Sequence, residues 1–357
     1  MGVEEFGSRH LKGPARLRIS AAVLTVILVG AYPSAQPAKL PPPLSIDALR
    51  TAHFTASLHY ERPLADGPGF TAYLVSYRSS HLLVYAMVAV PKSPAPPRGF
   101  PVLIASHGTH PDPPKYGFTA GGVDSRPGDY YRPIPELYAK RGFLVVLPDF
   151  RGHNASEGVP YTKGYLASAY FTEDLLALLS GLRDLEHADL SNVFMWGHSR
   201  GAEVTLRALL ATDAVRGASL WSTVGGDIWD QAYNYARYKN REAPDGSAVE
   251  KTPISELKRQ IAGFDAPYDW EAREPLRYLR YLRTPVILHH SITDPSAKYE
   301  WSERLAKELY LAGLHYMFYT YPGSDHFFQA EAREQAADRD AEFFRSLMDT
   351  SAARARQ

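Results

Sequence analysis

The chain has 357 residues, 45% of them hydrophobic, with 39 basic and 39 acidic side chains and no cysteine. This length and hydrophobic content suffice for one large buried core or two small ones. The balanced charge argues against a nucleic-acid partner or an anionic surface as partner, and the lack of cysteine excludes a disulfide framework and a thiol for lipid attachment.

Residues 1–35 have the pattern of a signal peptide. Basic residues in the first 18 positions precede a short apolar run at 19–31, which is too short for a comfortable transmembrane span. Pro33 stands where the cleavage region prefers a small residue, so an uncleaved anchor is the alternative. We expect a periplasmic or secreted protein without membrane contact once the signal is removed. Residues 36–43 are rich in proline and are predicted to form a stiff linker.

A single α/β domain is expected over residues 44–350. Two runs of mixed alternation predict paired strands at 70–77 and 81–90, joined by a turn at 78–80. After residue 100, short apolar runs alternate with helical patterns. That alternation is typical of a mostly parallel sheet covered by helices on both faces. The predicted strands of this part are 102–106, 143–147, 193–196, 218–223, 285–289 and 316–321.

Two helices are predicted near the end of the chain. Apolar residues at Trp301, Leu305 and Leu309 recur every four positions and stop before Gly313, as on one face of an amphipathic helix. A final helix is predicted over 331–348, with Phe343, Phe344 and Leu347 on its inner side.

Gly197-His198-Ser199-Arg200-Gly201 lies between a predicted strand and a predicted helix. In that context a Gly-x-Ser-x-Gly segment holds its serine on a sharp turn with the hydroxyl exposed. Ser199 is therefore the candidate nucleophile. The same five residues could also form an ordinary turn, so the prediction depends on partners elsewhere in the chain.

Candidate partners follow two later strands in the order acid, then histidine. Asp294 comes just after the strand at 285–289, and His326 comes just after the strand at 316–321. A serine needs a histidine to accept its proton, and the imidazole needs a carboxylate to orient it. Open α/β sheets carry their sites at the carboxyl ends of their strands. We therefore predict a Ser199–His326–Asp294 triad.

Other residues compete for these roles. Asp325 is adjacent to His326 and is poorly placed to reach its Nδ1 atom, while Asp294 before a proline could also serve as a turn or helix cap. The competing histidines are His107, His110, His198, His289 and His290. The last two precede the acid and are expected in or beside a strand.

These residues resemble the α/β-hydrolase superfamily, in the branch that contains prolyl oligopeptidase-like and dienelactone hydrolase-like domains. The motifs that carry the resemblance lie at 101–108, 148–153, 197–201, 290–294 and 321–326. The chain departs from the branch at two places: Ala202 follows the elbow where a second glycine is common, and Pro295-Ser296-Ala297 replaces a hydrophobic-Pro pair. The resemblance implies the α/β-hydrolase fold and serine-hydrolase chemistry without a cofactor.

The chemistry also requires an oxyanion hole. One donor is expected to be the backbone N–H of Arg200 at a helix start, and the second should come from the loop at 107–110. The resemblance leaves two candidates for that second donor, the Thr109 N–H and the Tyr116 hydroxyl. His107 and His110 could pair on a metal, but no third ligand has suitable spacing, so no metal is predicted. Arg151 is expected to hold its own turn through carboxylates or carbonyls.

The stretch between Ser199 and Asp294 is longer than the helices and strand it must contain. Its excess at 225–282 is rich in aromatic and charged residues and predicts a helical cap over the site. The alternative is a surface excursion whose tyrosines pack on the sheet. Four residues are predicted to line the substrate pocket: His107, His198, Trp229 and Tyr233.

Three functions are compatible with the sequence. The first is a serine carboxylesterase acting on a small or oligosaccharide-linked ester, the second an exopeptidase or amidase with the same triad, and the third a catalytically silent binding protein. About 60 residues separate Leu44 from Pro101, too few for even two propeller blades of roughly 40–50 residues each. Peptidases of the resembled branch generally carry such a propeller, so we favour the esterase. The sequence leaves the oligomeric state open.

Overall fold

Nine strands form one continuous sheet in the residues that the computed structural model describes, which are 44–109, 131–162, 167–224, 273–323 and 325–348. The strands are β1 (His59–Pro63), β2 (Phe70–Ser79), β3 (Leu82–Pro91), β4 (Phe100–Ser106), β5 (Leu144–Pro148), β6 (Ala188–His198), β7 (Gly217–Trp221), β8 (Val286–Ser291) and β9 (Tyr316–Tyr321).

The strand order across the sheet is β1-β2-β3-β5-β4-β6-β7-β8-β9. Strands β1 to β3 pair antiparallel, and β3 also pairs antiparallel with β5. From β5 to β9 every neighbouring pair is parallel. The crossovers between parallel strands carry helices, and the result is the α/β-hydrolase fold that the sequence predicts.

Helices cover both faces of the sheet and bury two separate apolar clusters. The α-helices of the described residues are α1 (Ile46–Thr51), α2 (Pro133–Ala139), α3 (Ala167–Gly181), α4 (Arg200–Ala211), α5 (Tyr299–Leu311) and α6 (Ala330–Ser346). Helices α1, α3, α4 and α5 contribute to one cluster, while α2 and α6 contribute to the other. Strand β4 serves both, because Val102 and Ile104 face the first cluster and Leu103 faces the second.

The predicted strands agree with the structure within a few residues, with three instructive differences. Strand β6 begins at Ala188, five residues earlier than predicted, because its polar start pairs with the beginning of β4. Strand β7 ends at Trp221, because Ser222 turns away at a φ of 44°. The hairpin turn lies at Ser80 and His81, since Ser79 and Leu82 still pair.

The predicted amphipathic helix corresponds to α5, and the predicted final helix corresponds to α6. Helix α5 ends before Gly313, whose φ of 66° allows its N–H to bond back to the Tyr310 carbonyl at 3.0 Å. In α6, Phe343 and Phe344 are buried as predicted, whereas the helix stops at Ser346, short of the predicted end. Strand β1 and helices α1, α2 and α3 have no counterpart among the elements predicted by name.

A buried carboxylate ties α6 to the sheet and to α2. Asp340 Oδ2 accepts hydrogen bonds from the Tyr138 hydroxyl at 2.6 Å and from Trp221 Nε1 at 3.0 Å. Its Oδ1 lies 2.9 Å from His289 Nε2, and His289 Nδ1 lies 2.7 Å from the Tyr321 hydroxyl. One side chain of α6 therefore joins β7, β8 and β9.

The parallel strands end level with one another at their carboxyl ends. Ser106 of β4 pairs with Gly197 of β6, and at the other side of β7 Ser291 of β8 pairs with Tyr321 of β9. The loops that carry the predicted site residues therefore leave the sheet at one edge. No helix of the described residues is long and apolar enough to cross a membrane. The apolar run at 19–31 lies outside the described residues.

Replacing Phe344 tests the packing of the second cluster. Its ring stacks on Phe194 with centroids 4.8 Å apart and meets Phe143 edge-on at 5.8 Å. We expect Phe344→Ala to lower the free energy of unfolding by about 3–5 kcal/mol, because it leaves a cavity in a fully buried core. Urea unfolding measures this loss. The control Leu311→Ala, at a position 65% exposed, should stay within about 0.5 kcal/mol of the parent, and an equal effect of both variants would contradict the packing argument.

Candidate active site

Ser199 occupies a strained turn between β6 and α4. Its φ is 56° and its ψ is −123°, a region that non-glycine residues seldom adopt. Its N–H donates to the Trp221 carbonyl at 2.9 Å, and its own carbonyl accepts from the Ala202 N–H at 3.0 Å. The turn is thus held from both sides while the serine stands at the sheet edge, in the arrangement expected of a nucleophile elbow.

The two flanking glycines permit a close backbone crossing at this turn. A Cβ atom on Gly201 would lie 2.1 Å from the Ser106 carbonyl oxygen, and one on Gly197 would lie 2.4 Å from the Gly201 carbonyl oxygen. Backbone atoms cannot give way as a flexible side chain can. Both positions therefore require glycine, and α4 starts pressed against the end of β4.

Asp294 and His326 meet at the same edge. Asp294 Oδ2 lies 2.7 Å from His326 Nδ1, while Oδ1 accepts the N–H groups of Ser296 at 2.7 Å and Ala297 at 2.9 Å. Asp294 therefore caps the turn that follows it, as the sequence allows, and contacts His326 at the same time. The competing acid, Asp325, instead accepts the Phe327 N–H at 3.1 Å.

A second histidine, His290, also contacts the acid. Its Nε2 atom lies 3.2 Å from Asp294 Oδ2, and its Nδ1 atom lies 2.5 Å from the Ser302 hydroxyl. Burial of the Asp294 carboxyl raises its pKa, but hydrogen bonds from His290 and His326 outweigh burial and hold the pKa well below its usual value. Asp294 is therefore ionised at neutral pH. The sequence indicates His290 only as a competing base, although its position four residues before Asp294 is a signal for this contact.

Two side chains, His198 and Ser222, contact the main-chain carbonyl of His326. Its carbonyl oxygen lies 2.7 Å from His198 Nε2 and accepts the Ser222 hydroxyl at 2.8 Å. The rings of His198 and His326 lie with centroids 4.5 Å apart. Because His198 immediately precedes Ser199, these contacts bring the loop of the candidate base against the serine turn.

The loop after β4 also lies against Ser199. A Cβ atom on Gly108 would be 2.9 Å from Ser199 Cβ, and the Gly108 N–H donates to the Tyr131 hydroxyl at 2.7 Å. Gly108 N–H is thus engaged, and the next amide, that of Thr109, belongs to an exposed residue. Arg200 is the first residue of α4, where amides have no partner inside the helix and the helix dipole favours negative charge. Tyr116 lies outside the described residues.

The predicted pocket histidines that the structure describes are both buried. His107 directs Nδ1 to the Gly108 carbonyl at 2.8 Å and Nε2 to the Asp149 carbonyl at 3.1 Å, which holds two loops together. His198 bridges Tyr131 and His326 with its two ring nitrogens. His110, Trp229 and Tyr233 lie outside the described residues.

Only the end of the predicted cap segment is described. Residues 225–272 lie outside the described residues, and 273–282 contain a 3₁₀ helix, Pro275–Tyr281. Tyr278 and Leu279 of that helix are buried in the same cluster as α4. The cap over the site stays a prediction.

Arg151 holds its own turn, as the sequence predicts. Its guanidinium reaches Asp174 Oδ1 at 2.6 Å and Glu173 Oε2 at 2.6 Å, and its backbone N–H donates to Asp174 Oδ2 at 2.8 Å. The Asp-Phe-Arg-Gly turn is therefore anchored to helix α3.

Known proteins with similar sequences and folds are hydrolases. The sequence profile of the prolyl oligopeptidase family matches residues 130–351. The lysophosphatidylserine lipase ABHD12 of Macaca fascicularis is 21% identical over 203 residues, which cover 52% of this chain and 42% of the lipase. The chain thus spans less than half the length of this relative.

Two solved structures illustrate the likeness of fold. A puromycin-hydrolyzing peptidase of Mycobacterium tuberculosis aligns with a TM-score of 0.55 and 20% identity, covering 82% of this chain and 39% of the peptidase. Est1E of Butyrivibrio proteoclasticus, solved with ferulic acid bound, aligns with a TM-score of 0.50 and 17% identity, covering 76% of this chain and 98% of Est1E. At these identities the likeness shows the fold alone.

The low pKa of Asp294 makes a prediction for stability. A carboxyl whose pKa is lower in the folded chain stabilises the fold above its unfolded pKa of about 4, and this contribution is lost as the pH falls through the folded pKa. We expect Asp294→Asn to lower the free energy of unfolding at pH 7 by about 1–3 kcal/mol. The deficit should shrink as the pH is lowered below about 4.

Urea unfolding of both proteins between neutral and acid pH measures this difference. Asp213→Asn is the matched control, because Asp213 is exposed and its replacement should change stability by less than about 0.5 kcal/mol. A deficit for Asp294→Asn that stays constant or grows on acidification would contradict the assigned sign.

Proposed function

The chain belongs to the prolyl oligopeptidase family of serine hydrolases, and on that premise we propose that it hydrolyses carboxylic esters through Ser199, His326 and Asp294. The observation that carries the proposal is the 2.7 Å contact between Asp294 and His326 at the sheet edge where Ser199 turns. These are the three groups that acyl transfer to a serine requires.

The hydrogen bonds of the candidate base assign its proton. Asp294 is ionised and can only accept, so the Nδ1 proton of His326 is directed to it. The lone pair at His326 Nε2 is then available for the Ser199 hydroxyl proton. A neutral imidazole in this tautomer is what general-base catalysis needs.

The reaction then proceeds in two half-reactions. Ser199 Oγ attacks the ester carbonyl carbon as His326 Nε2 takes the hydroxyl proton, and the bond to the alcohol oxygen breaks as His326 returns that proton to the leaving alcohol. Water attacks the resulting acyl-serine with the same base, and the carboxylic acid leaves as Ser199 regains its proton. The oxyanion would be bound by the Arg200 N–H and by a second donor, Thr109 N–H or the Tyr116 hydroxyl.

Two comparisons favour an ester over an amide. The alignment with Est1E, a protein solved with ferulic acid bound, covers 98% of that chain, whereas the peptidase is covered over 39%. The sequence relative is named as a lipase of a lysophospholipid, whose acyl bond is an ester. The second candidate is a small-peptide exopeptidase or amidase, which the match to a peptidase across 82% of this chain favours.

Replacing the nucleophile and the base tests the assignment. We expect Ser199→Ala to abolish hydrolysis of p-nitrophenyl acetate and labelling by a fluorophosphonate, and His326→Ala to lower kcat by about 10⁴-fold or more. Circular dichroism of each variant checks that the fold is kept. Turnover or labelling that survives Ser199→Ala would refute the proposed nucleophile, and a wild-type enzyme that does neither would favour the silent binding protein.

A substrate panel decides between ester and amide. We expect kcat/KM for p-nitrophenyl acyl esters and for methyl ferulate to exceed by at least about 100-fold the values for aminoacyl p-nitroanilides, which corresponds to about 2.7 kcal/mol in overall activation free energy. Methyl ferulate is the informative substrate, because its methoxide leaving group must be protonated by the catalytic histidine as it departs. Faster cleavage of the nitroanilides would favour the peptidase.

A further inference from the structure

A chain of three hydrogen bonds connects the loop after β4 to the loop that carries the candidate base. The Gly108 N–H donates to the Tyr131 hydroxyl oxygen at 2.7 Å, and that oxygen lies 2.7 Å from His198 Nδ1. On the far side of the ring, His198 Nε2 lies 2.7 Å from the His326 carbonyl oxygen.

The direction of each hydrogen bond follows from its acceptors. The His326 carbonyl can only accept, so His198 Nε2 carries a proton and donates. Burial, together with the neighbouring His326, lowers the pKa of His198 well below its ordinary value, so the ring is neutral at pH 7. Nδ1 is then an unprotonated acceptor, and the Tyr131 hydroxyl donates to it.

The two side chains at the centre of these hydrogen bonds are buried and packed among aromatic rings. Tyr131 is 4% exposed and His198 is 1% exposed. Phe327 packs edge-on against both rings, at centroid distances of 5.3 Å and 4.9 Å, and Trp196 stacks against His198 at 6.3 Å. Buried hydrogen bonds in such surroundings are costly to break, because the freed groups find no water.

We propose that Tyr131 and His198 are positioning residues that set the spacing between the oxyanion loop and the loop of the base around Ser199. The inference rests on the function proposed above. The Tyr131 hydroxyl holds Gly108, next to the candidate donor Thr109, and His198 holds the main chain of His326. Each acts through another residue: Tyr131 through Gly108, which adjoins Thr109, and His198 through the main chain of His326.

Two substitutions at His198 separate its contact with Tyr131 from its contact with the His326 carbonyl. Asparagine can offer an acceptor oxygen near the place of Nδ1 and thus keep the Tyr131 contact, but it cannot reach the His326 carbonyl. Glutamine can place an N–H near Nε2 and keep that contact, but it offers no acceptor at the Nδ1 position. Tyr131→Phe removes the hydroxyl that holds Gly108. The control is Tyr310→Phe at a tyrosine that is 71% exposed.

Hydrolysis of two esters with the same acyl group and different leaving groups distinguishes displacement of the base from displacement of the oxyanion loop. A p-nitrophenolate departs unaided, whereas the alkoxide of an ethyl ester needs the proton that His326 returns. A displaced base therefore penalises the ethyl ester more, while a displaced oxyanion loop penalises both esters alike, since both pass through the same oxyanion.

We expect Tyr131→Phe and His198→Gln to lower kcat and kcat/KM for both esters equally, by about 10- to 100-fold, with little change in KM. We expect His198→Asn to lower kcat/KM for the ethyl ester at least about fivefold more than for the p-nitrophenyl ester. Tyr310→Phe should match the wild type. Kinetics are run well below the melting temperature of each variant, so that lost stability does not contribute.

Wild-type kinetics in Tyr131→Phe and in both His198 variants would overturn the inference, as would equal losses for the two esters in His198→Asn. If one variant fails to fold, the other two still decide. Ser199→Ala keeps this outcome distinct from failure of the proposed function. If Ser199→Ala retains turnover, the function is wrong; if it is inactive while the Tyr131 and His198 variants are unaffected, only the positioning role is wrong.

Discussion

The contact of backbone on backbone where α4 begins beside the end of β4 is the constraint on which the candidate site depends. The Gly201 backbone lies close to the Ser106 carbonyl, and the chain enters α4 through Ser199, a residue of positive φ. A non-glycine residue in such a conformation costs on the order of 1–3 kcal/mol. The bond from the Ser199 N–H to the Trp221 carbonyl and the burial of α4 offset that cost.

The described loops that carry Asp294 and His326 are held by buried polar groups rather than by their own stiffness. Asp294 is approached by two imidazoles and two backbone amides, and the His326 carbonyl by an imidazole and a hydroxyl. In a low-dielectric interior such fully satisfied groups fix one geometry, because any displacement strands a donor or an acceptor. Preorganisation of this kind is what acyl transfer demands of its surroundings.

The sequence predicts the junctions of this site better than its supports. Ser199, Asp294 and His326 each follow an apolar run, so strand periodicity and the Gly-x-Ser-x-Gly spacing locate them. Tyr131 carries no such local signal. Tyr131 meets a partner 67 positions away, and that contact exists only after the sheet has assembled. Helix α3 was missed for a related reason: it is buried on nearly all sides and shows no polar stripe.

The anchoring of α6 through Asp340 affects the order in which the parts of the candidate site form during synthesis. His326 lies between β9 and α6, and α6 is fixed to the sheet through Asp340. Helix α6 is synthesised well after Ser199 and its turn. A nascent or truncated chain that lacks α6 carries the serine but not the packing that holds its base. The loop that carries the candidate base is therefore anchored only after α6, which follows it in the chain, has been synthesised and packed on the sheet.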